Sequence, residues 1–318
     1  MSTLDAVPTG IIRFGKEARL TPNPLARTRR LGAALLQLRT ERGYSHAELS
    51  RKSGVSASVI SRTENPLGDP GRKPGLLSVR RLLDALDVRR HSREWTVIEG
   101  YAEDAASSRW WDAAAYTRMG DGQRTYALVE AGASTIREYS GLLLPGLVQT
   151  AAYARHRVLA LTGDAPVADP EPIVRGRLER QRQSIGGGLA RYQLVLEEQA
   201  IRRRPVPADV MLEQLRHLLD LMVDPDRVSV RVIPVDAQPG DGYAPRAPYA
   251  HVTYPDTQDP PIVVVDNVTR ALLVTDSVEV SGYAQLHQRL REAALSDADS
   301  AAYIREAAAE LAATTREG

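Results

Sequence analysis

The stretch from Gly43 to Asn65, GYSHAELSRKSGVSASVISRTEN, constrains the fold of this chain more than any other. Ser45 followed three residues later by Glu48 has the spacing of a capping box, so a helix starts there. Ala47 and Leu49 are read as its inward residues, and Gly54 supplies the positive φ that ends it. Val55 then anchors the chain, and Ser56 is placed to cap a second helix with Val59, Ile60 and Thr63 inward. Ala57, Ser58, Ser61 and Arg62 remain on the outer face. Small and hydroxyl side chains let a helix come close to base edges, and an arginine can grip guanine or phosphate. The stretch therefore reads as a helix-turn-helix for double-stranded DNA, with the later helix as reader.

A length of 318 residues accommodates two domains at roughly 100–200 residues each. The absence of cysteine excludes disulfides, thiolate zinc sites and a cysteine nucleophile together. No run of about 18 apolar residues and no signal-peptide pattern is visible, so the expectation is a cytoplasmic protein without a membrane partner. The net charge of +1 conceals an asymmetry: residues 1–100 hold 18 Lys and Arg against 10 Asp and Glu. A basic amino-terminal third is the footprint expected where phosphates are met, and the acidic remainder should face away from a duplex.

Residues 1–24, broken by Pro8, Gly10, Pro22 and Pro24, read as an arm. Its Arg13, Lys16 and Arg19 are placed to track a DNA backbone, although an arm without a role is the simpler reading. Residues 25–92 read as the all-α DNA-binding domain. Leu31, Leu35 and Leu38 form one apolar stripe and Leu76, Val79, Leu83 and Leu86 another, with Arg27, Arg29, Arg30 and Arg39 on the remaining surface of the first helix. The Pro- and Gly-rich loop Asn65–Gly75 carries Arg72 and Lys73 just beyond the reader helix, where they can meet phosphates or water. Residues 93–120 read as a helical linker whose Trp95, Trp110 and Trp111 must be covered, between domains or between subunits.

Residues 121–318 read as an α/β or α+β domain around a mixed sheet. Runs at 135–144, 191–197, 228–234, 249–254 and 262–265 have strand character. Helical stretches fall between them at 146–160, 172–185, 208–222 and 282–295.

At residue level the first region resembles the XRE-type, lambda-repressor-like helix-turn-helix family. The matching residues are Leu38-Arg39, Gly43, Ser45, Leu49, Gly54-Val55-Ser56, Ser58, Ile60-Ser61-Arg62 and Glu64. His46 stands where that family usually has Gln, a phosphate-fixing position, and Ser50 where it usually has Ala. The resemblance implies a five-helix fold that meets DNA with Ser45 and His46 near phosphates, Ala57, Ser58, Ser61 and Arg62 near bases, and Ser56 among the DNA-binding residues. The second region resembles the uncharacterised domain that actinobacterial regulators of this type commonly carry. Its most specific piece is Pro145-Gly146-Leu147-x-Gln149-Thr150-x-x-Tyr153-Ala154-Arg155, joined by Glu130, Arg177, Arg180-Gln181 and Leu196-Glu197-Glu198. Such regulators are often encoded beside a very small protein and implicated in toxin–antitoxin-like pairs. The resemblance thus implies a partner-controlled regulator, with an antitoxin-like member of a two-protein pair as the alternative.

Catalysis is not expected, nor a metal or a cofactor. The histidines, His46, His91, His156, His217, His251 and His287, are scattered singly and read as satisfied or solvated surface groups. No phosphate-cradling glycine motif and no nucleophile elbow is present. Glu197, Glu198 and Asp266 end strands, but the neighbouring Arg202, Arg203 and Arg204 make ion pairs the cheaper explanation. Two binding readings stay open for the second domain: a pocket for a small effector, or a surface for a small protein. Arg175, Arg177, Arg180 and Arg182 would give one helix a basic face for acidic side chains. A homodimer on a two-fold site is expected, because one small reader helix covers too few base pairs for selectivity.

Overall fold

The computed structural model describes residues 22–160, 169–187, 190–237, 245–267 and 271–316, so Arg13, Lys16 and Arg19 lie outside the described residues. The amino-terminal helical unit is built from α1 (Pro24–Glu41), α2 (His46–Ser53), α3 (Ala57–Glu64), α4 (Leu76–Ala85) and α5 (Arg93–Ala106). Proline at the first position of α1 forfeits no helical hydrogen bond. The capping box of α2 is formed by Ser45 and Glu48, and Gly54 takes φ +69° at its end. Leu31, Leu35, Leu38, Leu49, Val55 and Ile60 share one core with Val79, Leu83, Leu86, Trp95 and Ile98. Ala47 does not join them and is exposed. Residues two apart lie about 200° apart around a helix, so Leu49 and Ala47 cannot both face inward.

The second region contains a six-stranded mixed sheet among the described residues, ordered β3-β2-β1-β4-β5-β6. Its elements run α6 (Asp121–Glu130), β1 (Thr135–Ser140), α7 (Ala151–Ala160), α8 (Glu171–Gln181), β2 (Arg191–Glu197), α9 (Glu198–Arg202), α10 (Ala208–Leu221) and β3 (Val228–Ile233). They continue with β4 (Tyr249–Thr253), β5 (Ile262–Asp266), β6 (Ala271–Val274), α11 (Ser277–Ala293) and α12 (Asp297–Arg316). Strands β1, β2 and β3 are parallel, and β4, β5 and β6 continue the sheet antiparallel from β1.

The side-chain period of two sends Ile136, Leu194, Val230 and Val252 to one face, in a core with Leu215 of α10 and Ile304 of α12. Tyr139, Val195, Tyr249 and Val263 face the other way, under Val280, Leu286 and Leu290 of α11. Both faces are covered, which is why the strands read as near-continuous apolar runs. Sequence periodicity does not reveal α12, because its inward residues include the small Ala307 and Ala308. It also misses β6, whose four residues are too short for a pattern.

The two regions are joined through the start of α1. Leu25 and Ala26 belong to the core of the second region, not to that of the helical unit. Arg27 lies 3.0 Å from Asp256, and Arg30 lies 2.8 Å from Asp256 and 3.0 Å from Asp259. Arg30 also stacks over the Tyr101 ring at 4.3 Å, and Arg29 donates to the Thr275 carbonyl at 3.1 Å. Part of the basic charge of the first hundred residues is therefore neutralised inside the protein. The segment read as a linker divides between both cores, with Trp95 in the helical one and Trp111 in the larger one.

Candidate nucleic-acid interface

The reader helix α3 is held from three directions. Ile60 is buried and Val59 packs against the helical core, while Ser58, Ser61 and Arg62 are exposed and Ala57 is half-buried. At its carboxyl end, Glu64 accepts two hydrogen bonds from Arg39, at 2.7 and 2.8 Å. Its Oε2 also meets His46 Nε2 at 2.9 Å. Burial pushes the Glu64 carboxyl up, and these bonds from Arg39 and His46 more than reverse it, so it ionises below its ordinary value. One carboxylate thus ties together the end of α1, the start of α2 and the end of α3. The third hold is Gly32 of α1: a Cβ there would stand 2.7 Å from the Thr63 carbonyl oxygen and 2.8 Å from that of Glu64. Only glycine lets α1 touch the end of α3 this closely.

Several residues expected at the interface have identifiable local duties. Ser45 Oγ accepts from the Glu48 amide at 3.2 Å in the capping box and also donates to the Glu48 carboxylate at 2.7 Å. The Ser56 side chain makes no bond to the helix amides, contrary to expectation, and instead faces the Ser58 hydroxyl at 3.3 Å. Arg62, Arg72 and Lys73 line one shallow cavity of about 170 Å³ beside Thr63 and Asn65. Arg62 and Arg72 are exposed and enter no ion pair among the described residues. Lys73, by contrast, pairs with Asp112 at 2.7 Å, and Arg109 donates to the Gly71 carbonyl at 3.0 Å. The loop after the reader helix is therefore pinned by the Trp110–Trp111 segment.

In the second region the strand-end carboxylates have separate surroundings. Glu197 accepts from the Tyr139 hydroxyl at 2.9 Å, and burial raises its pKa. Glu198 pairs with Arg202 at 2.9 Å and accepts from the Val235 amide at 2.8 Å. Asp266 stands at the rim of a cavity that also holds Glu138 and Arg177. No group of three or more His, Cys, Asp or Glu among the described residues is placed to hold a metal ion. Two histidines read as surface groups, His251 of β4 and His287 of α11, are in fact buried between that helix and the sheet. His251 and His287 are held down, to about 4 and about 3, chiefly by burial and then by neighbouring arginines.

The basic face expected on α8 does not form. Arg175 is exposed and Arg182 pairs with Glu179 at 2.6 Å, whereas Arg177 and Arg180 turn toward the sheet. Charge alone cannot report that turn, because burial of an arginine depends on what its helix packs against.

Glu138 was also hidden. It occupies the same face of β1 as Ile136, a core position, and takes a hydrogen bond from the buried Tyr192 hydroxyl. The signal was available in the parity of TIREYS, where a carboxylate falls on the apolar register. Burial raises its pKa from 4.5 to about 8, against the Tyr192 bond that lowers it. Between those values the folded chain keeps a proton that the unfolded chain has released. Its stabilising contribution is full below the unfolded value and is lost as pH rises toward about 8. Glu138→Gln, which stays neutral throughout, should flatten this fall. Urea-unfolding midpoints at about pH 5 and about pH 8.5 check it.

A family model for a helix-turn-helix domain matches residues 30–95. A model described as a domain of unknown function, DUF5753, matches residues 123–306, more than half of the chain. No curated protein and no solved structure matches the chain.

Proposed function

Because the chain belongs to the DUF5753 family and carries a helix-turn-helix domain ahead of it, we propose that it is a sequence-specific transcriptional regulator. It acts in the cytoplasm, as a homodimer on a two-fold site, and not as an enzyme. No described helix is long and apolar enough to cross a membrane. The supporting observation is the reader helix: Ser58, Ser61 and Arg62 are outward and Ile60 is inward, while Glu64 and Gly32 fix its carboxyl end.

In this reading α3 enters a major groove with Ala57, Ser58, Ser61 and Arg62 facing bases. Ser45, His46, Ser56, Arg72 and Lys73 meet phosphates and set the register without reading sequence. Lys73 must leave Asp112 to do so. The DUF5753 region receives the regulating signal, a small effector or a small protein, and passes it through the start of α1.

The test is fluorescence-anisotropy binding to DNA upstream of the chain's own gene, against a scrambled duplex and over a salt series. Arg62→Ala should weaken specific binding by about 1–3 kcal/mol, roughly 5- to 150-fold, and relax selectivity at one base pair. Arg72→Ala should weaken both duplexes alike and lower the salt slope by about one. Equal loss on both duplexes for Arg62→Ala would make it a phosphate contact and remove it from sequence reading.

A further inference from the structure

A cavity of about 350 Å³ opens on the inner face of the sheet, beyond the carboxyl end of β1. It lies where the parallel half of the sheet meets the antiparallel half, since β1 pairs parallel with β2 and antiparallel with β4. Crevices at such points are where open α/β sheets hold ligands, and the volume falls in the ordinary range for small-molecule sites.

Its walls explain the Pro145-Gly146-Leu147-x-Gln149 signature. A Cβ on Gly146 would run into the Arg180 guanidinium, so a larger residue there would push that group from its place beside Glu130. Gln149 Oε1 accepts from Arg177, and Gln181 donates to the carbonyls of Gly146 and Gln149 at 2.7 and 2.8 Å. The motif is thus a scaffold that holds two inward arginines.

Three arginines, Arg157, Arg177 and Arg180, line the cavity. Arg180 is matched by Glu130 at 2.7 Å, which leaves Arg157 and Arg177. Neither enters an ion pair among the described residues, and the buried Arg177 Nε has no hydrogen-bond partner among them. Burial, with Arg180 and Arg157 nearby, lowers the Arg177 pKa to about 10. Opposite them Glu138 is largely protonated near neutral pH, and the Asp266 carboxyl is also raised by burial. Guanidinium groups that line a cavity and form no ion pair with a carboxylate are suited to binding planar or tetrahedral oxyanions.

We propose that this cavity binds a small organic anion, a carboxylate or a phosphate monoester, gripped by Arg157 and Arg177. Hydroxyl or amine groups on the rest of the molecule reach Glu138 and Asp266. As the effector site of the regulator it rests on the function proposed above, but the binding itself does not. Helix α6 supplies the route to the DNA-binding unit. Tyr126 lines the cavity, and the Leu128, Val129 and Ala131 carbonyls at and just beyond the end of the helix are held by Asn23, the N-cap of α1.

The test uses the full chain without DNA, so loss of DNA binding and loss of this site are read separately. Thermal unfolding is followed against inorganic phosphate, succinate and chloride at matched ionic strength. Phosphate or succinate should raise the midpoint saturably and beyond chloride, and whichever does so identifies the headgroup. Arg177→Gln should weaken that response at least about tenfold. Arg157→Gln should do the same, and its side chain enters no ion pair whose loss would unfold the protein, so it carries the test if Arg177→Gln does not fold. The proposal is overturned if neither anion exceeds chloride, or if the response survives in Arg157→Gln and in any folded Arg177→Gln.

Discussion

Glu130→Gln should lower the unfolding free energy by about 3–5 kcal/mol, the cost of leaving one member of a buried ion pair alone. Glu130 is 3% exposed and Arg180 5%, and they meet at 2.7 Å, with the Ser184 hydroxyl on the other carboxylate oxygen at 2.8 Å. Burial raises the Glu130 pKa, against Arg180 and Ser184, which favour its ionised form. The two partners differ in what each does when left alone. A carboxyl can take up a proton and become neutral, whereas a guanidinium keeps its charge. Arg180→Met should therefore cost less than Glu130→Gln, and the double replacement should recover part of the loss. Urea-unfolding midpoints at constant m-value check the order. Equal costs for both single variants, with simple additivity in the double, would show that the two groups are not coupled.

Asn23→Ala should cost about 2–4 kcal/mol and loosen the helical unit from the second region. Asn23 is fully buried and uses both ends of its amide. The oxygen accepts from the Ala26 amide at 2.8 Å, an N-cap typically worth about 1 kcal/mol. The nitrogen lies 2.8, 3.1 and 2.8 Å from the carbonyls of Leu128, Val129 and Ala131. The Val129 carbonyl keeps the Tyr254 hydroxyl, but carbonyls at a helix end have no intrahelical partner, and stranding those of Leu128 and Ala131 costs about 1–3 kcal/mol more. Asn23→Asp separates the two duties, because Asp caps α1 as well as Asn but offers the carbonyls no donor. It should be at least as damaging as the alanine variant, and limited proteolysis between 106 and 121 should rise in both. An Asp variant as stable as the native chain would confine the role of Asn23 to capping.

The sequence by itself carried the helix-turn-helix. Ser45 and Glu48 are three residues apart, Gly54 is the residue that tolerates φ +69°, and Leu31, Leu35 and Leu38 repeat at helical spacing. These are local relations, decided within a few residues of chain. The strands were legible for the same reason, since alternation and β-branching are properties of short segments, and the mixed-sheet region follows from them. The family pattern added the Pro-Gly-Leu-x-Gln signature without its reason.

Only the tertiary structure decided which charges are available. Arg27, Arg30 and Arg39 read in sequence as surface groups of the first helix, yet they pair with Asp256, Asp259 and Glu64, which lie far along the chain or across a turn. Arg177 and Arg180 read as part of a basic helix face and instead enter a cavity, while Glu138 finds the Tyr192 hydroxyl from the neighbouring strand as its partner. A side chain's charge is written in the sequence. Its partner depends on contacts between segments distant in sequence, as between Asn23 and the end of α6, and the local order of charges does not encode them.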